Sequence, residues 1–182
     1  MKSVAFTILL ALTIPFGSIA DKPRVSRDQV AKMELAIDTR LKSLTSTDDP
    51  VEVVGLTQGM YINGFGAVFA SEVNLAPSAG ISPFHPSITK EEAVRIHGKK
   101  LQRLPKLKDA MQEVLLSSAA SLDPVPGDER IAVGVTLFYW QWEDKTGLPS
   151  QIVMYAPKSA LVKAKTGADR AGLASSLTIQ EF

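Results

Sequence analysis

The sequence predicts an α+β fold: a mainly antiparallel sheet of four or more strands, built from two hairpins and packed by two longer helices and a short C-terminal helix. Three observations carry that expectation. Apolar residues recur at three- and four-residue steps over 26–44, and again from Thr89 to about Ala120, each series tracing one stripe of a helix. Asn63-Gly64 lies between two β-rich runs, the strongest short-range hairpin signal. Arg130 to Trp142 is a long run of Val, Leu and aromatic residues, and a further β-rich run follows at Gln151–Ala156.

Composition narrows the class. Apolar types make up 45% and charged types 21% of the 182 residues, which excludes a disordered or collagen-like chain. A formal net charge of +1 gives no basic field for nucleic acid. The absence of cysteine excludes disulfides, thiolate metal sites, iron–sulfur clusters and thiol catalysis.

The first residues read as a signal peptide. Lys2 precedes the apolar stretch Val4–Phe16, and Ser18-Ile19-Ala20 presents the small residues of a cleavage site before Asp21. The expected organisation is a leader over 1–20, cleaved after Ala20, and one α+β domain over 21–182, exported to the periplasm or the exterior. A spanning helix needs about 20 apolar residues, and no later stretch approaches that length, so no transmembrane span is expected in the mature chain.

The elements follow in order. Val30, Met33, Ile37, Leu41 and Leu44 form the apolar stripe of the first helix, with Ser26 or Asp28 as its cap. Thr45 to Pro50 ends it. A two-residue type I′ turn at Asn63-Gly64 would set Ile62 opposite Phe65, Met60 opposite Ala67 and Gln58 opposite Phe69. That register puts Val54, Leu56, Met60, Ile62, Phe65, Ala67, Phe69 and Val73 on a core face. It leaves Gly55, Thr57, Gly59, Tyr61, Gly66, Val68 and Ala70 on a smooth face that a helix could approach. Residues 76–88 hold three prolines and exceed an ordinary connection. Thr89 and Glu92 then make a capping box, with Val94, His97, Leu101 and Leu104 as the buried stripe. Pro105 is expected to break or kink this helix near Leu104. After the strand ending at Ala156, Pro157 opens a short helix over Lys158–Lys165, which Gly167 ends. The tail to Phe182 is weakly patterned.

Few residues carry chemistry. Of the two histidines, His97 lies on a helix stripe and His85 in the proline-rich loop. No nucleophile elbow, phosphate loop or His-Glu-x-x-His is present, so neither a cofactor nor a metal is expected. Two clusters remain. Arg95, Lys99, Lys100, Arg103, Lys106 and Lys108 are six cations with no acid between them, and 95, 99 and 103 stack on one helical face. Such a face suits an anionic wall or lipid surface, although a solvated outer face is the ordinary explanation. Phe138, Trp140 and Trp142 share one side of the expected strand end, where amphipathic rings either complete a core or bind a sugar or peptide. The reading is an exported non-enzymatic protein that binds an envelope protein or wall polymer, with Arg95, Lys99, Arg103, Trp140, Trp142 and His85 as candidate binding residues. The alternative is a secreted or periplasmic hydrolase that uses His85 with a distant serine or carboxylate.

Overall fold

The computed structural model describes residues 25–45, 49–78, 87–167 and 170–182. The expected signal peptide, His85 and most of the proline-rich loop lie outside them. In chain order the elements are α1 (Arg27–Lys42), β1 (Glu52–Val53), β2 (Gln58–Ile62), β3 (Gly66–Asn74), α2 (Lys90–Ser121), β4 (Arg130–Leu137), β5 (Gln151–Pro157), α3 (Lys158–Lys165), α4 (Arg170–Ser176) and β6 (Thr178–Glu181). The fold is α+β, with a six-stranded mixed sheet that is mostly antiparallel.

Its hairpin arrangement differs from the expectation. The strand order is β1-β3-β4-β5-β6, and β2 also pairs with β3, on the edge it shares with β1. The centre of the sheet is a parallel pair, β3 with β4. A parallel pair needs a long crossover, and α2 supplies it. The weakly patterned tail adds α4 and the edge strand β6, neither of which its sequence had announced. Those four residues of β6 are ordered by pairing with β5, from Ile152 opposite Glu181 to Tyr155 opposite Thr178.

The β2–β3 hairpin forms, but one residue out of the expected register. Ile62 pairs with Gly66, which leaves a three-residue loop closed by a bond from Phe65 N–H to the Ile62 carbonyl at 3.0 Å. Gly64 has φ +79° as expected, whereas Asn63 is not in the left-handed region, so the turn is not type I′. A one-residue slip exchanges the two faces of a strand. Ala67, Phe69 and Val73 are buried as expected, but Leu56, Met60 and Ile62 are exposed. Gly59 faces Phe69 instead, and a Cβ there would lie 2.7 Å from the Phe69 ring and from Val30 of α1. The observed register is therefore the one that gives the Phe69 ring and α1 a glycine to pack on. At Gly59 a helix does approach closely; at Gly66 it is the backbone of Arg130 that does so.

α1 begins with a capping box: Gln29 N–H donates to Ser26 Oγ at 3.3 Å, and Ser26 N–H donates to Gln29 Oε1 at 3.0 Å. Val30, Met33, Ile37 and Leu41 bury the predicted stripe. Glu34 ties α1 to β2 by accepting from Gly59 N–H at 2.6 Å while pairing with Arg27. Deeper between α1 and the sheet, the buried Asp38 accepts from Thr57 N–H at 3.1 Å and from its hydroxyl, which meets Ser71 Oγ at 2.7 Å.

α2 runs unbroken through Pro105. Proline removes one intrahelical bond, at a cost of about 3 kcal/mol, and burial of Leu104 and Leu107 in the turns on either side offsets it. The buried stripe of the first half is also rotated from the predicted one. Ile96, Lys100, Arg103, Leu104 and Leu107 face inward, whereas Val94 and Leu101 are exposed. Lys100 and Arg103, which the sequence had placed on an outer face, thus lie on the buried side of α2.

Candidate functional site: an aromatic arm clamped to a helix

The strand expected to reach Trp142 ends at Leu137, so the aromatic cluster lies on a connecting arm. Leu137 N–H bonds the Ser150 carbonyl at 2.9 Å and closes the β4–β5 ladder, and Phe138 N–H bonds the Val73 carbonyl at 2.9 Å. Beyond these the arm folds on itself. Glu143 N–H donates to the Trp140 carbonyl and Trp140 N–H donates to Glu143 Oε1, both at 3.1 Å. Asp144 Oδ1 accepts from Thr146 N–H at 2.9 Å and from its hydroxyl at 2.7 Å. Tyr139 Oη donates to the Pro149 carbonyl at 2.8 Å.

Three residues within little more than one turn of α2 hold the arm from below. His97 Nδ1 lies 3.0 Å from the Asp144 carbonyl, and Leu101 packs at Gly147. Lys100 sits between them. Its Nζ donates to the Phe138 carbonyl at 2.9 Å, pairs with the Glu143 carboxylate and stands 4.5 Å from the centre of the Tyr139 ring. The side chains of Lys100 and Glu143 are 1% and 3% exposed, so the pair is dry. Burial pulls the Lys100 ammonium below the ordinary lysine value; the hydrogen bond and charge of Glu143 hold it up, and Lys145 adds to the lowering.

Burial, reinforced by the charge of Glu143, pushes the Tyr139 phenol up to about 12. A native value raised above the unfolded one favours the protonated state. The associated stability is complete below about pH 10 and is lost as pH rises toward 12. An ultraviolet titration is therefore expected to show a late phenolate step near 12 among the three tyrosines. Tyr139→Phe should remove that step; its persistence would assign it elsewhere.

Phe138, Tyr139, Trp140, Gln141 and Trp142 line a depression of about 640 Å³. Phe138 and Trp140 meet edge to face at 5.1 Å. Trp140 is 40% exposed, and the buried Trp142 Nε1 has no hydrogen-bond acceptor. Trp140 therefore does not complete a core.

The basic stripe has a different fate. Arg95 stays exposed, 3.8 Å from Glu92. Lys99 Nζ lies 3.0 Å from both carboxylate oxygens of Asp49. Arg103 is only 8% exposed: it donates to the carbonyls of Leu75 and Asp49 and pairs with the Asp49 carboxylate. Lys99 first, then Arg103, lowers the Asp49 carboxyl from its ordinary value. The expectation of three solvent-facing cations thus fails at Arg103, because the rotated helix turns it inward. Lys99, Gln102, Arg103 and Lys106 line a second recess with Thr45 and Asp49, away from the arm.

The structure thus joins the two sequence clusters through Lys100, a residue the sequence had grouped with the cations without assigning it a role. Its partner Glu143 lies in the turn-forming stretch after Trp142 and carried no sequence signal of a buried role. The available signal was the spacing of Ile96, Lys100, Arg103 and Leu107, which puts two cations on a buried helical stripe. Among the described residues no three His, Asp or Glu side chains form a metal-holding group, and no helix is long and apolar enough to cross a membrane. Comparison with protein-family models, curated proteins and solved structures finds no match to this chain.

Proposed function

We propose that this is an exported, non-enzymatic protein that holds a hydroxyl-rich wall polymer on its aromatic arm. The observation that carries the reading is the half-open Trp140 indole, set edge-on to Phe138 in an aromatic recess whose base is clamped to α2. An indole face covers the apolar C–H side of a sugar ring while the ring's hydroxyls stay hydrated. Immobilised aromatics bind at low entropic cost. The unpaired Nε1 of Trp142 adds a donor, and leaving such a group buried without an acceptor costs about 1–3 kcal/mol. A ligand oxygen could satisfy it after a small shift of the arm. Export, expected from the leader, would bring the arm to the polymer.

The test is co-sedimentation with insoluble peptidoglycan, using cellulose as a neutral glycan for comparison. Trp140→Ala should weaken binding by about 30-fold, the loss typical of a buried anchor, and leave the melting temperature nearly unchanged. Failure of the wild type to sediment, or equal binding by Trp140→Ala, would overturn the reading. Binding lost only on raising salt or on replacing Lys99 and Lys106 would transfer the site to the basic recess, and would overturn it too.

A further inference from the structure

We infer that Lys100 is the positioning residue of the binding arm: from beneath, it sets the place and orientation of Trp140. The inference rests on the reading of the arm as the polymer site and names what prepares that site. Between the ends of the β4–β5 ladder at Leu137 and Ser150, the arm's one backbone bond to a strand is from Phe138 N–H to the Val73 carbonyl. What it leans on therefore decides its conformation. Lys100 touches it at three points that bracket Trp140 in sequence: the Phe138 carbonyl, the Tyr139 ring and the Glu143 carboxylate. The last contact is the most direct. Glu143 Oε1 accepts from the Trp140 backbone N–H at 3.1 Å, so the ammonium holds the carboxylate that holds Trp140.

Stability alone does not require a lysine here. Replacing both members of a buried ion pair by neutral groups of similar volume is often neutral or stabilising, because two charges no longer have to be desolvated. What a methionine at 100 cannot do is donate to the Phe138 carbonyl, orient the Glu143 carboxylate and face the Tyr139 ring as a cation. The pair trades desolvation energy for one fixed geometry of a segment otherwise held by its own turns, by His97 and Leu101, and by the bond from Phe138 to Val73.

The only two tryptophans of the chain, Trp140 and Trp142, are both on the arm, so tryptophan emission reports on it alone. The experiment compares wild type with the double variant Lys100→Met/Glu143→Gln, which keeps an acceptor for Trp140 N–H and leaves no buried charge unpaired. Lys100→Met alone serves as the variant with a broken pair. The double variant should melt near the wild-type temperature, yet show stronger acrylamide quenching of tryptophan emission. Amide exchange over 138–149 should quicken at least tenfold, and binding to peptidoglycan should fall at least tenfold. If quenching, exchange and binding all match wild type in a double variant that folds, the positioning role is overturned. If the double variant does not fold, Lys100 and Glu143 serve general stability and the inference is equally overturned. Quenching and exchange are read on the protein alone. A wild type that binds no polymer therefore overturns the function proposed above, while those two measurements still decide the role of Lys100.

Discussion

Gly66→Ala is expected to destabilise the fold by about 3–5 kcal/mol, the sum of a strained left-handed backbone and an overlap that cannot relax cheaply. Gly66 has φ +127°, and a Cβ added there would lie 1.8 Å from the carbonyl oxygen of Arg130 and 2.7 Å from its nitrogen. The obstacle is backbone, so no rotamer change relieves it. To admit the methyl group, β3 must move away from β4 where their parallel ladder begins, beside the bond from Arg130 N–H to the Phe65 carbonyl at 2.7 Å. For a domain of this size the loss corresponds to a fall in melting temperature on the order of 10 °C. Gly64→Ala is the control: φ is +79°, but nothing lies within 4 Å of the added Cβ, so only about 1 kcal/mol of backbone strain is expected. Equal melting temperatures for the two variants would show that the contact with Arg130 does not hold the sheet as described.

Arg103→Gln is the second large effect, expected at about 2–4 kcal/mol. The guanidinium caps carbonyls from two separate stretches of chain, Asp49 before β1 and Leu75 after β3, while pairing with the Asp49 carboxylate. Glutamine cannot reach them all, which leaves buried carbonyls without donors. Arg95→Gln, at an exposed position on the same nominal stripe, should stay within about 0.5 kcal/mol. Urea denaturation of the two single variants is the measurement. Similar midpoints would mean that Arg103 is no more embedded than its neighbour.

That contrast shows where the sequence reading was sound and where it stopped. The four-residue spacing of Arg95, Lys99 and Arg103 does place them along one side of a helix. How deep each lies depends on the rotation of α2 about its own axis. Val94, His97, Leu101 and Leu104 formed an equally plausible stripe, and the carbonyls of Phe138, Asp49 and Leu75 decided against it by drawing two cations inward. The turn at Gly64 was legible because a left-handed residue at that point is a local demand. The register of the hairpin was not: two- and three-residue loops both satisfy Asn63-Gly64, and the choice was made by Phe69 needing a glycine opposite it and α1 above.

Local sequence was enough for the α+β class, the approximate extents of α1, β5 and α3, a cap at Ser26 or Asp28, the cap at Thr89, and an aromatic cluster after the third long β run. All of these follow from interactions within a few residues of chain, where propensity, capping and periodicity act. The tertiary structure decided the parallel β3–β4 pairing, the continuity of α2 through Pro105, the ordering of β6, and the joining of Lys100 to Glu143 beneath Trp140. Each of these sets a local cost — a missing hydrogen bond, a short strand, a desolvated charge — against contacts with residues distant in sequence. No local pattern encodes the partners that offset such a cost, so the arm and its clamp became visible only once the chain was folded.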